Sequence, residues 1–112
     1  MAIAIGICLR YELDIAYENL KPTTDSNNTS YGINDYSVPK RTANRSAGTL
    51  AQTSIAAFQS GGGAEAFVAD YHWSSTEVSA TLAWALRFSD GYQGTNTKNL
   101  STYVRAFRKF AL

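Results

Sequence analysis

The stretch Ala83-Trp84-Ala85-Leu86-Arg87-Phe88-Ser89-Asp90-Gly91 decides the fold class. Trp84, Leu86 and Phe88 alternate with Ala85 and Arg87, a period of two that places the bulky set on one face of a sheet. Ser89-Asp90-Gly91 then bounds the strand with a turn. Downstream, Tyr103 to Phe110 is again rich in aromatic, β-branched and long apolar residues and follows the turn-like Asn99-Leu100-Ser101, so it reads as a further strand. It lacks clean alternation, as expected of a strand covered on both faces, with Arg105 and Arg108 paired with carboxylates or reaching solvent. Glu77 is expected to be the structural partner of Arg105 or Arg108.

Upstream of Tyr71 the period is different. Between Arg10 and Leu20, Tyr11, Ile15 and Leu20, with Leu13 and Ala16 beside them, approximate one face of a helix, and Glu12, Asp14 and Glu18 fall mainly on the other. Pro22 stops this helix because proline has no N–H and disfavours helix in the residue before it. Residues 21–48 are polar and rich in Asn, Asp, Gly and Pro, which predicts a long, mobile loop pinned to the core by Tyr31, Ile33, Tyr36 and Val38. Thr49 to Gln59 reads as a second helix, with Thr49 as N-cap, Leu50, Ile55 and Phe58 on its apolar face, and Gly61-Gly62-Gly63 ending it. The triple glycine has no following Lys-Ser/Thr and no βαβ context, so it is not a phosphate loop. The opening Ala2 to Leu9 is apolar, too short to cross a bilayer and without a basic region before it, and reads as core instead of a signal peptide. The expectation is one α+β domain over residues 1–112: a helical part over about 9–60 and a sheet and loop part over about 71–110. Two helices pack on a small, mostly antiparallel sheet with long loops.

Composition excludes several function classes. Ten Lys and Arg face nine Asp and Glu for a formal net charge of +1, so the basic stripe of a general nucleic-acid binder is missing. With 45% hydrophobic and 17% charged residues the chain can build a packed core. Cys8 is the only cysteine, which excludes an internal disulfide and a Cys-rich zinc site and suggests a buried free thiol. His72 is the only histidine, so neither a metal centre nor any other cofactor is expected. The string Tyr71-His72-Trp73-Ser74-Ser75-Thr76-Glu77 holds a histidine, serines and an acid, but neighbours on a strand point to opposite faces and do not form a triad. Asp70, Glu77 and Asp90 lack the regular spacing of a divalent-ion site. The sequons at Asn27, Asn28, Asn44 and Asn99 are chance matches in a chain rich in Asn, Ser and Thr.

Trp73-Ser74-Ser75-Thr76-Glu77, Ala83-Trp84, Phe88-Ser89-Asp90-Gly91, Gln93, Lys98 and Tyr103-Val104-Arg105-Ala106-Phe107-Arg108 occur in an order that resembles the carboxy-terminal half of the Fibrobacter-type major paralogous domain. The phrases from Tyr11 to Pro22 and from Ala47 to Thr53 are similar to the helix regions of phage structural proteins of that family. The resemblance implies a C-type-lectin-like fold and a role as a variable target protein of a diversity-generating retroelement. Two departures accompany it. The Trp-x-Leu-Pro-Ser phrase that usually precedes the first helix is replaced by Ile7-Cys8-Leu9-Arg10, so the fold is expected to lack an N-terminal strand, either trimmed or supplied by another chain. The Glu-Pro-Asn type of phrase used for calcium and sugar binding is missing too, so calcium-dependent sugar binding does not follow.

Under this resemblance Trp73, Trp84, Phe88, Gly91, Val104 and Arg105 form a scaffold. The positions between them, His72, Leu82, Ala85, Arg87, Tyr92, Gly94, Thr95, Asn96, Leu100 and Thr102, point outward as a variable ligand-binding surface. Arg87 and Tyr92 would be the strongest anchors, with Leu82 and Leu100 adding apolar contact. The implied function is a non-enzymatic display module, a receptor-binding protein on the surface or tail of a phage virion. Its partner would be a host-surface protein or glycan, with no nucleic acid and no membrane insertion. The alternative is a structural virion decoration or oligomerisation module, such as a homotrimer, without a specific ligand. In it the apolar amino terminus and Phe107 to Leu112 pack between subunits or against other virion proteins. An enzyme related to formylglycine-generating proteins is not expected, because those use active-site cysteines and Cys8 stands alone outside the matching region.

Overall fold

The computed structural model describes residues 2–7, 9–104 and 106–111. The chain runs through β1 (Ala2–Ile7), α1 (Arg10–Leu20), one 3-10 turn at Ala56–Phe58, then β2 (Tyr71–Glu77), β3 (Leu82–Arg87), β4 (Gln93–Thr97) and β5 (Ala106–Ala111). β2, β3 and β4 make a three-stranded antiparallel sheet in that order, and β5 pairs antiparallel with β1. The architecture is α+β, with one helix against a three-stranded sheet. The strand expected to be missing at the amino terminus is present: Ala2 lies opposite Ala111 and Ile7 opposite Ala106. The two apolar ends pictured between subunits therefore pair with each other. The last strand begins at Ala106, later than expected, and Tyr103 forms a parallel bridge to His72. Cys8, Arg105 and the side chain of Arg108 fall outside the described residues, and with them the expected buried thiol. Glu77 pairs with Lys98 at 2.9 Å instead of with either arginine.

Helix α1 has the expected bounds, but a different face is buried. Leu13, Asp14, Ala16 and Tyr17 are inside, whereas Tyr11, Ile15 and Leu20 are half-buried. The reason is Asp14, fully buried although it was expected on the polar side. Its carboxylate accepts from Arg45 Nη2 at 2.8 Å, Asn34 Nδ2 at 2.8 Å, Gln93 Nε2 at 3.1 Å and, in close contact, Arg41 Nη2. Arg41 and Arg45 also bind Glu18, one turn further along α1. A buried carboxylate is tolerable only when paired and hydrogen-bonded, and the loop supplies the partners.

The same arginines and asparagines fasten residues 21–48. Asn27 and Asn34 are buried, whereas Ile33, Tyr36 and Val38, expected to pin the loop, are exposed. Tyr31 is half-buried and edge-on to Tyr92, and Tyr36, though exposed, rests its ring against Tyr11 of α1 with centroids 5.2 Å apart. Asn27 accepts from Tyr17 Oη at 2.5 Å and Lys21 Nζ at 2.9 Å, and donates to the carbonyl of Leu50 at 2.9 Å. Its burial also removes it as a glycosylation acceptor. Thr49 to Gln59 does not form the second helix; only Ala56–Phe58 winds, as a 3-10 turn. Its polar groups are drawn to the chain leaving α1: the Thr53 N–H donates to the Lys21 carbonyl at 2.9 Å and Gln52 Nε2 to the Pro22 carbonyl at 2.7 Å. These long-range partners outcompete a marginal local helix.

The apolar core joins Leu13, Ala16 and Tyr17 of α1 to Phe67, Leu86 and Phe88. Phe67 stacks on Phe88 with centroids 4.3 Å apart, and the Tyr17 ring meets Phe88 edge-on. Gly91 turns the chain after Phe88 with φ +80°, and a Cβ there would lie 2.6 Å from the Tyr17 ring. Side chain and backbone both demand glycine at that position.

Two stability outcomes are expected in urea unfolding. Asp14→Ala leaves buried guanidinium groups without their anion and lowers stability by about 3 kcal/mol or more. Gly91→Ala is destabilised by more than about 1 kcal/mol, because it combines an unfavourable φ with a clash against the Tyr17 ring.

Candidate ligand-binding face

Register in the sheet sorts the side chains into two faces. Antiparallel partners share a face, so His72 with Leu86, Leu86 with Gln93, and Trp84 with Thr95 lie on the side of α1. Tyr71 with Arg87, Trp73 with Ala85, Ala85 with Gly94, Ala83 with Asn96, and Glu77 with Ala83 lie on the opposite, outer side. The register shifts between Trp73 and Glu77, and Ser74 Oγ bridges the gap by donating to the Trp84 carbonyl at 2.8 Å. The bulge also brings Thr76 Oγ1 to the backbone N–H of Arg10 at 2.9 Å, which ties the start of α1 to the sheet.

On the outer side, a cluster of aromatic rings surrounds one guanidinium. The Tyr92 ring meets Tyr31 edge-on at 5.3 Å and Tyr71 at 6.3 Å between centroids. The Arg87 guanidinium lies 5.2 Å from the Tyr92 centroid and 5.5 Å from that of Tyr71, within cation–π range. Asp90 holds it in place, accepting from Arg87 Nε at 2.9 Å and Nη2 at 2.6 Å. The same carboxylate accepts the backbone N–H of Tyr92 at 3.0 Å, so one side chain orients both the guanidinium and the tyrosine. Burial pushes the Asp90 carboxyl up, but the Arg87 hydrogen bond, the Tyr92 N–H and the Arg87 charge together outweigh it and hold the group below its ordinary 3.8. Burial and the neighbouring Tyr92 hydroxyl push the Tyr31 phenol above its usual range. Gly94 lies beneath Tyr92; a Cβ there would come 2.8 Å from the Tyr92 ring.

The ten expected surface residues divide accordingly. Arg87, Tyr92, Gly94 and Asn96 share the outer face. His72 does not point outward but is packed among Phe67, Phe88 and Tyr103, with Nδ1 3.0 Å from the Asp70 carbonyl, and Ala85, although on the outer side, is buried as the floor of the face. Leu82 and Thr95 fall on the α1 side, at the far end of the sheet. Leu100 is exposed, and Thr102 donates from Oγ1 to the Tyr71 carbonyl at 2.5 Å, bracing the cluster from behind. Of the expected scaffold, Phe88 and Gly91 are buried, whereas Trp73 and Trp84 are half-buried and Val104 is exposed. The carboxylates Asp70, Glu77 and Asp90 do not converge: Glu77 and Asp90 bind Lys98 and Arg87, and Asp70 accepts the Tyr71 N–H. Among the described residues, no group of three or more His, Cys, Asp or Glu side chains could hold a metal ion, and no helix is long and apolar enough to cross a membrane.

Tyr31 and Tyr71 complete the cluster but were not among the expected binding residues. Tyr71 was legible as the residue that opens the strand next to His72, one step out of phase. Tyr31 carried no such signal, because it reaches the face across sixty intervening residues. No family model matches the chain, and neither a curated protein nor a solved structure matches it.

Because the folded Asp90 value lies below the unfolded one, its stabilisation is complete above the ordinary value and is lost as pH falls through the folded value. Asp90→Asn should therefore lower stability at neutral pH and flatten the acid limb of the stability profile below about pH 4, as read by urea unfolding across a pH series.

Proposed function

We propose that this chain is a non-enzymatic ligand-binding display module with a C-type-lectin-like fold, carried on the surface or tail of a phage virion. It would recognise a host-surface protein or glycan through side chains varied by a diversity-generating retroelement. The observation that carries this reading is the cluster of Tyr31, Tyr71, Arg87 and Tyr92 on the outer face of β2, β3 and β4. Tyrosine supplies rigid contact area with a polar tip, and arginine adds charge and planar hydrogen bonding, which is the composition of binding hot spots. The cluster is prearranged by Asp90, so less ordering entropy is lost on binding. Backbone and turn residues beneath it are held by Phe88 and Gly91, which leaves the outward side chains free to change without disturbing the core. A patch this small binds weakly as a single copy, and repetition on a particle raises avidity by about 100-fold to 10,000-fold.

A second reading, an oligomerisation or virion decoration module, is favoured by Tyr36 and Val38, which are 71% and 98% exposed on the loop. A stable trimer in light scattering that Val38→Ser dissolves would support it.

The leading reading is tested with labelled protein on arrays of bacterial surface glycans and on intact bacterial cells. Arg87→Ala and Tyr92→Ala should each weaken capture by about 10-fold or more, with melting temperature checked in parallel. Tyr31→Ala, which touches neither Asp90 nor the turn, should do the same. Capture that is unchanged in all three, or wild-type protein that binds none of the surfaces, overturns the assignment.

A further inference from the structure

The helix start carries a second cationic group, set apart from the Arg87 cluster. Arg10 donates from Nε to Gln93 Oε1 at 2.7 Å, and its guanidinium lies over Trp84, 3.6 Å from the ring centroid, and 5.2 Å from the ring centroid of Tyr11. Gln93 is buried and is itself held by Asp14. The side chain is thus locked at three points, while its two Nη groups have no hydrogen-bond partner and no ion pair among the described residues. Arg10 lines a cleft of about 300 Å³ together with Tyr11, Ser30, Tyr31, Asn44 and Gln93.

We propose that this cleft binds a carboxylate, gripped by the Nη edge of Arg10 and flanked by the polar side chains of Asn44 and Tyr31. A guanidinium with its plane and its Nε already fixed presents a preorganised fork, the geometry that matches the two oxygens of a carboxylate. Tyr31 lines this cleft and also packs on Tyr92, so a ligand anchored at Arg10 continues onto the tyrosine face. The inference therefore rests on the binding function proposed above and names its ligand chemistry: an acidic group on a sugar or on a peptide side chain. The cleft volume suits one monosaccharide or one amino-acid side chain.

The test is a titration followed by ¹H–¹⁵N NMR, including the Arg10 Nε–H and Gln93 side-chain resonances. The probes are glucuronate beside its neutral amide, and N-acetylglutamate α-methylamide beside N-acetylglutamine α-methylamide, so that each pair differs at a single carboxylate. At least one acid should bind with a dissociation constant of about 1 mM and move both resonances, and its amide should bind about 10-fold more weakly. The acid that binds tells sugar from peptide. Arg10→Gln should abolish the effect and Arg10→Lys should retain part of it, with melting temperature showing whether each variant is folded. Capture on surfaces is scored separately: wild-type protein that binds the small acid but captures none of the surfaces overturns the face alone, which separates failure of this site from failure of the face. Equal binding of acid and amide, shifts that persist in Arg10→Gln, or no shift with either acid overturns the proposal.

Discussion

The buried carboxylate of Asp14 is the constraint on which the rest of this structure depends. One group on the first turns of α1 binds two guanidinium groups and an amide from the long loop, and a second amide from β4. A carboxylate with no exposure in a small domain must be fully satisfied, and no single element of this chain could satisfy it. Helix, loop and sheet are brought together by that demand. It also explains how a loop with few buried apolar side chains is held: the ordering entropy of the segment is offset by charge-assisted hydrogen bonds in a water-poor setting.

A second polar junction repeats the arrangement at the other end of α1. Asn27 takes the Tyr17 hydroxyl and the Lys21 ammonium, and passes its own N–H groups to the carbonyls of Ser46, Ala47 and Leu50. Lys21 is almost wholly buried, and desolvation lowers its pKa; Nζ is surrounded by the neutral acceptors Asn27, Leu50 and Asp25 O. Tyr17 connects this junction to the apolar core, since its ring packs on Phe88 and leaves room only for a glycine at position 91. Polar and apolar parts of the interior are thus one continuous unit.

The candidate surface follows from these interior contacts. Gln93 points inward to Asp14 and Arg10, so its strand neighbours Tyr92 and Gly94 point outward. The loop fastened by Asn34, Arg41 and Arg45 delivers Tyr31 to Tyr92. The irregularity in β2 lets Thr76 meet the start of α1, which sets Arg10 over Trp84. Asp90 holds Arg87, and the buried Gln93 holds Arg10, so the shape of the candidate face and of the adjoining cleft is set from beneath.

Local periodicity and turn chemistry were enough, from the sequence by itself, to determine α1 from Arg10 to Leu20, the strand around Trp84 and Leu86, the turn at Ser89-Asp90-Gly91 and the placement of Arg87 on the face opposite Trp84 and Leu86. These depend on neighbours within a few residues, and the signal is written in them. The tertiary structure alone decided what depends on distant partners. Asp14 is inside because Arg41 and Arg45 reach it, Thr49 to Gln59 stays unwound because Lys21 and Pro22 take its hydrogen bonds, and Ala2–Ile7 is a strand because β5 lies beside it. His72 is buried by aromatic neighbours and Ala85 beneath the outer face of the sheet, and Tyr31 joins the tyrosine cluster from the long loop after α1. A one-dimensional pattern records what a residue prefers; the pairing of charges, carbonyls and rings across long separations determines whether that preference is met.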